Sequence, residues 1–298
     1  MSRGRRRSAA EARRRELVVL EPAERRAAML RLIGAARRRL VLSLFRCDDF
    51  EVLDALAGAL ERGVAVHALL TMRAKGGRKR LKKLWDALEE MGAVVSWYAD
   101  PVVKYHAKYL VADEGPALVT TLNPTRKCFT RTWDAVLVTH DEPVVQSLLH
   151  LFHSDAAGRP LSLGRRFSRR LIVGPERARP DVHALIDGAR RSIRILDHKL
   201  SDPDVVALLR ERRAAGVTVS VIGSTLAGPL EPHGKLMIID ETRAVVGSLA
   251  LSTLSLDFRR EVALIVEDAA AVRRLNAAYQ ELSVRAGALA HRLPGDRP

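Results

Sequence analysis

The sequence predicts an α/β fold built from two pseudo-symmetric repeats, each a mainly parallel mixed sheet flanked by helices. Two observations support this class. The chain aligns with itself over most of its length, and each half alternates amphipathic helical stretches with short β-branched or leucine-rich segments. A strand, a helix and a second strand in this order indicate a crossover connection between parallel strands.

The repeat is clearest at an offset of 153 residues. At this offset residues 32–45 fall on residues 185–198, and Gly63 falls on Gly216, without a gap. Each copy predicts a strand (40–45 and 193–196), a helix (51–62 and 203–215) and a second strand (64–70 and 217–222). The glycine between the helix and the second strand has the position of a C-cap.

These patterns divide the chain into five segments. We predict a basic, solvated or disordered arm (1–16), a first repeat (17–153), a linker (154–170), a second repeat (171–285) and a tail (286–298). The first repeat contains a basic, helical insertion within residues 75–100, for which the second repeat has no counterpart.

Composition restricts the class of protein and its partners. The net charge of +15 favours an anionic partner, although a general bias towards arginine explains it equally well. No apolar run approaches the length of a membrane span or of a secretory signal. We therefore expect a cytoplasmic protein that associates at most peripherally with the inner face of the membrane.

Cys47 and Cys128 have no metal-ligand spacing, so we predict neither a metal nor a cofactor.

A second register, at an offset of 127 residues, aligns two polar motifs. His106, Lys108 and Asp113 fall on His233, Lys235 and Asp240. In the same register Asp134 falls on Glu261, and each of these acids follows its histidine by 28 residues. Two occurrences of one pattern at equivalent positions argue against chance and predict one active site shared by the repeats.

Each side chain of these motifs has a chemical role in cleaving a phosphodiester. One imidazole attacks phosphorus and forms a covalent phosphohistidine, and the other protonates the leaving alcohol and later acts as a base. The lysines stabilise charge on the non-bridging oxygens. Either Asp113 and Asp240, or Asp134 and Glu261, fix the tautomers of the histidines.

The paired H-x-K-x4-D motifs resemble those of the phospholipase D superfamily, and the resemblance extends from about residue 18 to residue 285. It implies one site built from both repeats and catalysis through a phosphohistidine without metal. The family usually follows each motif with G-S-x-N, whereas this chain has "TTLN" and "GSLA". Asn123 therefore comes from one repeat and Ser248 from the other. Because the nucleophile in the family is often the N-terminal histidine, we assign this role to His106.

Two further residues are candidates for substrate contact. Arg46 and Lys199 occupy equivalent positions just after the first strand of each repeat. Ligands of parallel sheets often bind at this end of the strands.

The substrate is the least determined part of the prediction. We expect a phospholipid headgroup enzyme that hydrolyses its substrate or transfers the phosphatidyl group, as a cardiolipin synthase does. The basic residues Arg78, Lys79, Arg80, Lys82 and Lys83 would then contact an anionic membrane surface. The alternatives are a metal-independent nuclease, whose partner would be nucleic acid, and a non-enzymatic basic scaffold. The sequence leaves the oligomeric state open, although one chain contains every predicted catalytic residue.

Overall fold

The computed structural model describes residues 16–71, 77–223, 230–287 and 293–295. The predicted N-terminal arm, apart from its last residue, lies outside the described residues, as does most of the predicted tail beyond residue 287. Among the helices within these ranges, none is long and apolar enough to cross a membrane.

The first repeat contains a seven-stranded mixed sheet with the order β1-β9-β7-β6-β2-β3-β4. Its strands are β1 (Leu17–Val19), β2 (Arg39–Leu44), β3 (Ala65–Thr71), β4 (Val94–Tyr98), β6 (Tyr109–Ala112), β7 (Ala117–Thr120) and β9 (Val136–Thr139). The pairs β2–β3 and β3–β4 are parallel. The pairs β1–β9, β9–β7, β7–β6 and β6–β2 are antiparallel.

The second repeat contains a six-stranded sheet with the order β10-β17-β15-β14-β11-β12. Its strands are β10 (Leu171–Val173), β11 (Ser192–Leu196), β12 (Thr218–Ile222), β14 (Leu236–Ile239), β15 (Arg243–Gly247) and β17 (Val262–Val266). The pair β11–β12 is parallel, and the other pairs of this sheet are antiparallel.

The α/β class and the two flanked sheets are confirmed, but the expectation of mainly parallel sheets is wrong. Parallel pairing is confined to the crossover units, β2 to β4 and β11 to β12. The later part of each repeat runs through tight hairpins, β6 to β7 and β14 to β15. A connection of three or four residues can join only antiparallel strands, because a parallel connection needs a crossover.

Nine helices are present among the described residues. In the first repeat they are α1 (Pro22–Ala35), α2 (Phe50–Glu61), α3 (Arg78–Glu90), α4 (Arg126–Thr130) and α5 (Glu142–Ala156). In the second repeat they are α6 (Ala178–Asp187), α7 (Pro203–Ala214), α8 (Thr253–Asp257) and α9 (Ala269–Ala286). Helix α3 is the predicted insertion.

The apolar core has three parts, which follow from the two faces of each sheet. A cluster common to both repeats joins inward-facing residues of the two sheets, such as Tyr109 and Ile238, with α5 and α9. The outer face of the first sheet packs on α1 and α2, and that of the second on α6 and α7. Strands β6 and β14, which directly follow the two motifs, are buried along their whole length. The site therefore rests on strands that are fully protected from solvent.

The crossover units are held by equivalent local signals in the two repeats. Asp49 and Asp202 are the N-caps of α2 and α7, and their side chains accept hydrogen bonds from the backbone N–H groups of Val52 and Val205. Gly63 and Gly216 follow these helices with φ of 82° and 90°, a conformation that glycine adopts without strain. The C-cap residues themselves are Arg62 and Ala215, so each glycine lies one position beyond the predicted cap, at C′.

Candidate active site

Two short parallel ladders bring the repeats together crosswise. Strand β5 (Lys104–Tyr105), just before the first motif, pairs with β16 (Arg259–Arg260) of the second repeat. Strand β13 (Glu231–Pro232), just before the second motif, pairs with β8 (Thr132–Trp133) of the first. The backbone N–H of His106 extends the first ladder by donating to the carbonyl of Arg260, at 2.9 Å. Each histidine is thereby placed against the strand that precedes the acid of the other repeat.

The histidine and lysine of the first motif lie between two strands. His106 and Lys108 lie in the connection between β5 and β6, not inside a regular strand. The reason is that the chain leaves the crosswise ladder at His106 and joins the main sheet only at Tyr109, so the residues between belong to neither.

The crosswise ladders produce two histidine–carboxylate pairs, each composed of both repeats. His106 Nδ1 lies 2.9 Å from Glu261 Oε2, and His233 Nδ1 lies 2.8 Å from Asp134 Oδ1. Both acids are completely buried, whereas the histidine side chains remain 15% and 28% exposed. Between the two acid pairs that the sequence left open, the geometry supports Asp134 and Glu261.

Burial and hydrogen bonds keep both acids ionised. Burial alone would raise the pKa of Glu261, but His106 beside it, together with Lys108, lowers that pKa to about 2. Burial likewise opposes ionisation of Asp134, but the hydrogen bond to His233 and those from Thr121 and Thr132 lower its pKa. An ionised carboxylate can only accept, so Nδ1 of each histidine carries a proton that it donates to its acid.

His106 is suited to act as a nucleophile because it stays neutral. Burial lowers the pKa of its imidazole to about 3; Glu261 opposes this shift, while Lys108 and Lys235 add to it. The edge of the His106 ring also meets Phe45, with 4.9 Å between the ring centroids. A neutral imidazole with Nδ1 bound to Glu261 presents Nε2 for attack over a wide range of pH.

The two lysines of the motifs are buried cations. Lys108 and Lys235 are 2% and 5% exposed, and each donates to the carbonyl of its own histidine, at 2.7 and 2.9 Å. The Lys108 ammonium also lies 3.2 Å from His106 Nε2. Burial lowers the pKa of Lys108 to about 7, Glu261 opposes this shift, and Lys235 adds to it. Two ammonium groups with so little solvent make the cleft a strong site for an anion.

Asp113 and Asp240 do not take part in this cluster, which corrects their assignment as catalytic residues. Asp113 ends β6, five residues beyond Lys108 and therefore about 16 Å along an extended chain. Its carboxylate accepts the backbone N–H groups of residues 37–39, and that of Asp240 accepts those of residues 190–192. Both residues have positive φ, 51° and 53°. Each closes the turn before the first strand of its crossover unit, β2 or β11.

Asn123 and Ser248 have different positions. Asn123 lines a cavity beside His233, and its Oδ1 is buried without a hydrogen-bond partner among the described residues. Ser248 lies behind the site, where its hydroxyl bonds to the backbone of Val262 and helps to lower the pKa of Glu261. Thr121, at the equivalent position of the first repeat, donates to Asp134 at 2.6 Å.

Arg46 and Lys199 both lie at the cleft. Arg46 lines the same cavity as Asn123, and its guanidinium stands over the Phe45 ring, 5.4 Å from the centroid. Burial lowers the pKa of Lys199, and the charges of Lys235 and Arg259 lower it further, so these cations are close together. Whether either residue touches a substrate stays a prediction.

Sequence reasoning missed Phe45, Ser255 and Thr132. Phe45 covers both His106 and Lys108, whose ammonium is 5.4 Å from the ring centroid. Ser255 donates to Glu261, and Thr132 donates to Asp134. The offset of 153 aligns Phe45 with His198, and this pairing just after the first strand of each repeat was the available signal.

The cavity beside His233 has a volume of about 370 Å³. It extends from the catalytic cleft to helix α3 and is bordered mainly by the first repeat. Its lining residues are Arg46, Cys47, Asp48, Gly77, Arg80, Leu81, Leu84, Asn123, Thr125, Lys127, Cys128, Thr132, Glu231, Pro232 and His233.

One group of donor atoms at the site could in principle hold a metal ion. Donor atoms of Cys128, Asp134 and His233 lie within 4.8 Å of one another. The charge of Arg25 acts on Asp134 and Cys128, and the charge of Lys108 acts on Cys128. These cations oppose a divalent ion at this position, and the acid is already used by the histidine.

Comparison with known proteins extends these findings. A family model described as "Cardiolipin synthase, PLD-like domain" matches residues 29–156, which is most of the first repeat. A search of the curated proteins finds no match.

Two solved structures share the arrangement of both repeats. The polyphosphate kinase of Porphyromonas gingivalis aligns with a TM-score of 0.75 at 19% identity, over 91% of this chain. The chain spans only 47% of the length of that kinase. The phosphatidylserine synthase of Haemophilus influenzae Rd KW20 aligns with a TM-score of 0.67 at 11% identity, over 90% of this chain and 89% of its own.

At these identities the structural matches establish the fold. The family match covers residues 29–156, so the first repeat is similar to a phospholipase D-like domain, and the paired motifs agree with that similarity.

Proposed function

We propose that the protein cleaves phosphodiesters by two successive displacements at phosphorus, with His106 as nucleophile and His233 as general acid and base. The observation that carries this proposal is the crosswise pairing of each histidine with the buried acid of the other repeat, at 2.9 and 2.8 Å. Such a pairing orients two Nε2 atoms into one cleft that also contains two buried lysines.

In the first displacement the lone pair of His106 Nε2 attacks phosphorus, and the bond from phosphorus to the leaving oxygen breaks. His233, protonated on both nitrogens, gives its Nε2 proton to that oxygen, so an alcohol leaves. Glu261 accepts the Nδ1–H of the phosphohistidine and stabilises its positive ring. Lys108 and Lys235 stabilise the charge on the non-bridging oxygens.

In the second displacement water or an alcohol attacks the phosphohistidine. The Nε2 of His233 removes the proton of the attacking water or alcohol. The bond from phosphorus to His106 breaks, and the electron pair of that bond returns to Nε2 of His106. The choice between hydrolysis and transfer depends only on which acceptor reaches phosphorus. The neutral state of His106 supports its assignment as the nucleophile.

For the substrate class we favour a phospholipid headgroup, which the description of the matching family model supports. Three exposed apolar residues on the segments that lead into the ladder before His106 support it further. They are Val102, Leu254 and Phe258, whose side chains are 63%, 41% and 45% exposed, and we call them the apolar patch. The carbonyl of Phe258 accepts the backbone N–H of Lys104, so the patch borders the strand that leads to His106. Exposed apolar and cationic groups side by side are typical of surfaces that contact anionic lipid.

A nuclease is the second candidate, because a net charge of +15 suits a polyanionic substrate. Aromatic residues make up only 4% of the chain, and few are exposed at the cleft for bases to stack on. This scarcity favours the lipid.

The test is to incubate the protein, with EDTA present, with phosphatidylglycerol vesicles containing ethanol and, in parallel, with plasmid and single-stranded DNA. We expect release of glycerol or formation of phosphatidylethanol. DNA cleavage without lipid turnover would overturn the lipid assignment and leave the chemistry intact.

His106→Ala and His233→Ala, assayed with bis(p-nitrophenyl) phosphate, test the chemistry independently of the natural substrate. We expect both variants to lose activity by about 100-fold or more, the usual effect of removing a nucleophile or a general acid. Full activity in either variant would contradict one shared site. A covalent phosphohistidine trapped on His233 would reverse the two roles.

A further inference from the structure

The cavity beside His233 is formed mainly by the first repeat. Helix α3, which forms one side of it, is the insertion without a counterpart in the second repeat. Trp85 of α3 stacks on Trp97 of β4 with 4.2 Å between ring centroids, so the helix is fixed to the sheet. Because this rigid cavity is formed mainly by one repeat, the two ester groups of a bound phosphodiester would have different surroundings.

Two arginines bring unbalanced charge to this cavity. Arg46 and Arg80 both line it, and neither forms an ion pair with another residue in the part of the chain that the structure describes. The third cation of the lining, Lys127, is balanced by Glu231, 2.6 Å away. Asp48 is the remaining acid of the lining, so among the described residues Arg46 and Arg80 leave an excess of positive charge.

An independent observation indicates that the cavity accepts a polar ligand. Asn123 lies at its base, is more than nine-tenths buried, and its Oδ1 has no hydrogen-bond partner among the described residues. A buried amide oxygen without a partner costs free energy, which a hydroxyl group of a ligand would restore by donating to it.

The position of His233 links the cavity to the reaction. His233 lines the cavity, and in the function proposed above it gives its proton to the leaving alcohol. The leaving group must therefore lie on this side of phosphorus. A volume of about 370 Å³ is within the range of small-molecule sites.

We propose that this cavity binds the leaving group of the substrate and selects one that is a phosphorylated polyol. Arg46 and Arg80 bind its second phosphate, and Asn123 accepts a hydrogen bond from its hydroxyl group. The inference rests on the proposed function, in which His233 protonates the leaving alcohol. It adds that the preferred substrate carries two phosphate groups, one in the scissile diester and one in the departing alcohol. Arginine suits the second phosphate because its planar group can donate two parallel hydrogen bonds.

The experiment compares substrates that differ by one phosphate. The lipid arm uses phosphatidylglycerol and phosphatidylglycerol phosphate, and the nucleotide arm uses the dithymidine diester with and without a terminal phosphate on its leaving nucleoside. We expect a higher kcat/KM for the phosphorylated member of at least one pair, and the pair that responds identifies the source of the leaving group.

Arg46→Ala and Arg80→Ala should each reduce that preference, the ratio of the two kcat/KM values, by about tenfold. Arg273→Ala removes an exposed arginine of α9 far from the cavity in sequence and should leave the ratio unchanged. Equal kcat/KM values within both pairs, or a ratio unaffected by either arginine variant, would overturn the inference.

A binding measurement separates this inference from the proposed function. Glycerol 3-phosphate, titrated calorimetrically into the His106→Ala protein, should bind, and Arg80→Ala in that background should weaken its binding about tenfold. No binding, or binding that Arg80→Ala does not weaken, would contradict the cavity assignment even if bis(p-nitrophenyl) phosphate is hydrolysed. Binding without hydrolysis of that diester by the unmodified protein would support the cavity and refute the chemistry.

Discussion

At the scale of single residues, the site depends on groups whose charge is set by burial. His106 is neutral, Glu261 is ionised, and Lys108 is a cation whose proton is weakly held. Each of these states follows from the distance to the neighbouring charge and from the exclusion of water.

The lowered pKa of Lys108 predicts the pH dependence of the reaction. Burial brings this pKa to about 7, so the ammonium loses its proton as the pH rises through that value. If the cation stabilises the transition state, kcat/KM for bis(p-nitrophenyl) phosphate should fall above about pH 7. Lys108→Arg keeps the charge at every pH in this range and should remove the falling limb, at a lower rate. A flat profile of the unmodified protein between pH 6 and 9 would contradict this role.

The two kinds of acid in each repeat should respond differently to substitution. Glu261→Gln keeps the shape but not the charge, so we expect activity to fall by about 100-fold or more with little change in stability. Asp113→Ala leaves three backbone N–H groups without their acceptor and should lower the free energy of unfolding by about 1–3 kcal/mol. At temperatures below the midpoint of its thermal unfolding, the Asp113→Ala variant should remain active. Thermal melts and kcat/KM measured on both variants distinguish the two outcomes.

Sequence alone could not choose between these acids. Asp113 and Asp134 both follow His106 at spacings that recur in the second repeat. The choice depends on which carboxylate reaches an imidazole across the cleft, and that contact joins residues 155 positions apart. No local pattern encodes it, although the residue types and their register were readable.

At the scale of elements, four two-residue strands determine the site. β5 and β16, and β13 and β8, cross from one repeat to the other and bring each histidine to its acid. The close approach of one of these crossings requires glycine, since a Cβ on Gly234 would meet the Trp133 ring at 2.5 Å and its carbonyl oxygen at 2.8 Å.

Gly234→Ala should therefore disrupt the site by shifting the backbone segment that carries His233. The added methyl group must push Trp133 or the β13 segment away, which displaces His233, and we expect a loss of at least about tenfold in kcat and of about 1–3 kcal/mol in the free energy of unfolding. Gly34→Ala in α1 is the matched control, because a Cβ there meets nothing within 4 Å. This control should keep full activity, with stability unchanged or raised by at most about 1 kcal/mol. Full activity in Gly234→Ala would contradict the importance of this crossing.

The sequence predicts the crossover units but not the crosswise ladders between the repeats, for a physical reason. Asp49, Asp202, Gly63 and Gly216 are local signals that act on the adjacent helix, so their roles are readable from the sequence. A two-residue strand has no periodicity, and its partner is more than a hundred positions away in the case of β5. The antiparallel hairpins were missed because the crossover pattern was extended to the whole sheet.

At the scale of the whole molecule, the proposed lipid substrate predicts that the face with the apolar patch contacts the membrane. Its three residues, Val102, Leu254 and Phe258, border a cleft rimmed with cations such as Lys199 and Arg259. Single exposed apolar residues are common on proteins, but three together beside an active site are not.

If the proposed lipid substrate is correct, the patch predicts which substitutions weaken binding to vesicles. Phe258→Ser should weaken sedimentation with phosphatidylglycerol vesicles severalfold, because burying an exposed aromatic ring in the interface contributes about 1–2 kcal/mol. Hydrolysis of the soluble bis(p-nitrophenyl) phosphate should change little. Val284→Ser removes an equally apolar side chain, 83% exposed on α9, and should have no effect on sedimentation. Equal effects of the two substitutions would indicate that the patch is not the binding face.

The division of each histidine–acid pair between the repeats also affects when the protein becomes reactive. The partners are 155 and 99 positions apart in the chain, so a chain in which only one repeat has folded contains no complete pair. During synthesis the second repeat emerges last, and until then His106 has no carboxylate to orient it. In the proposed function, reactivity towards phosphodiesters therefore requires both repeats to have folded, so that each histidine already has its acid.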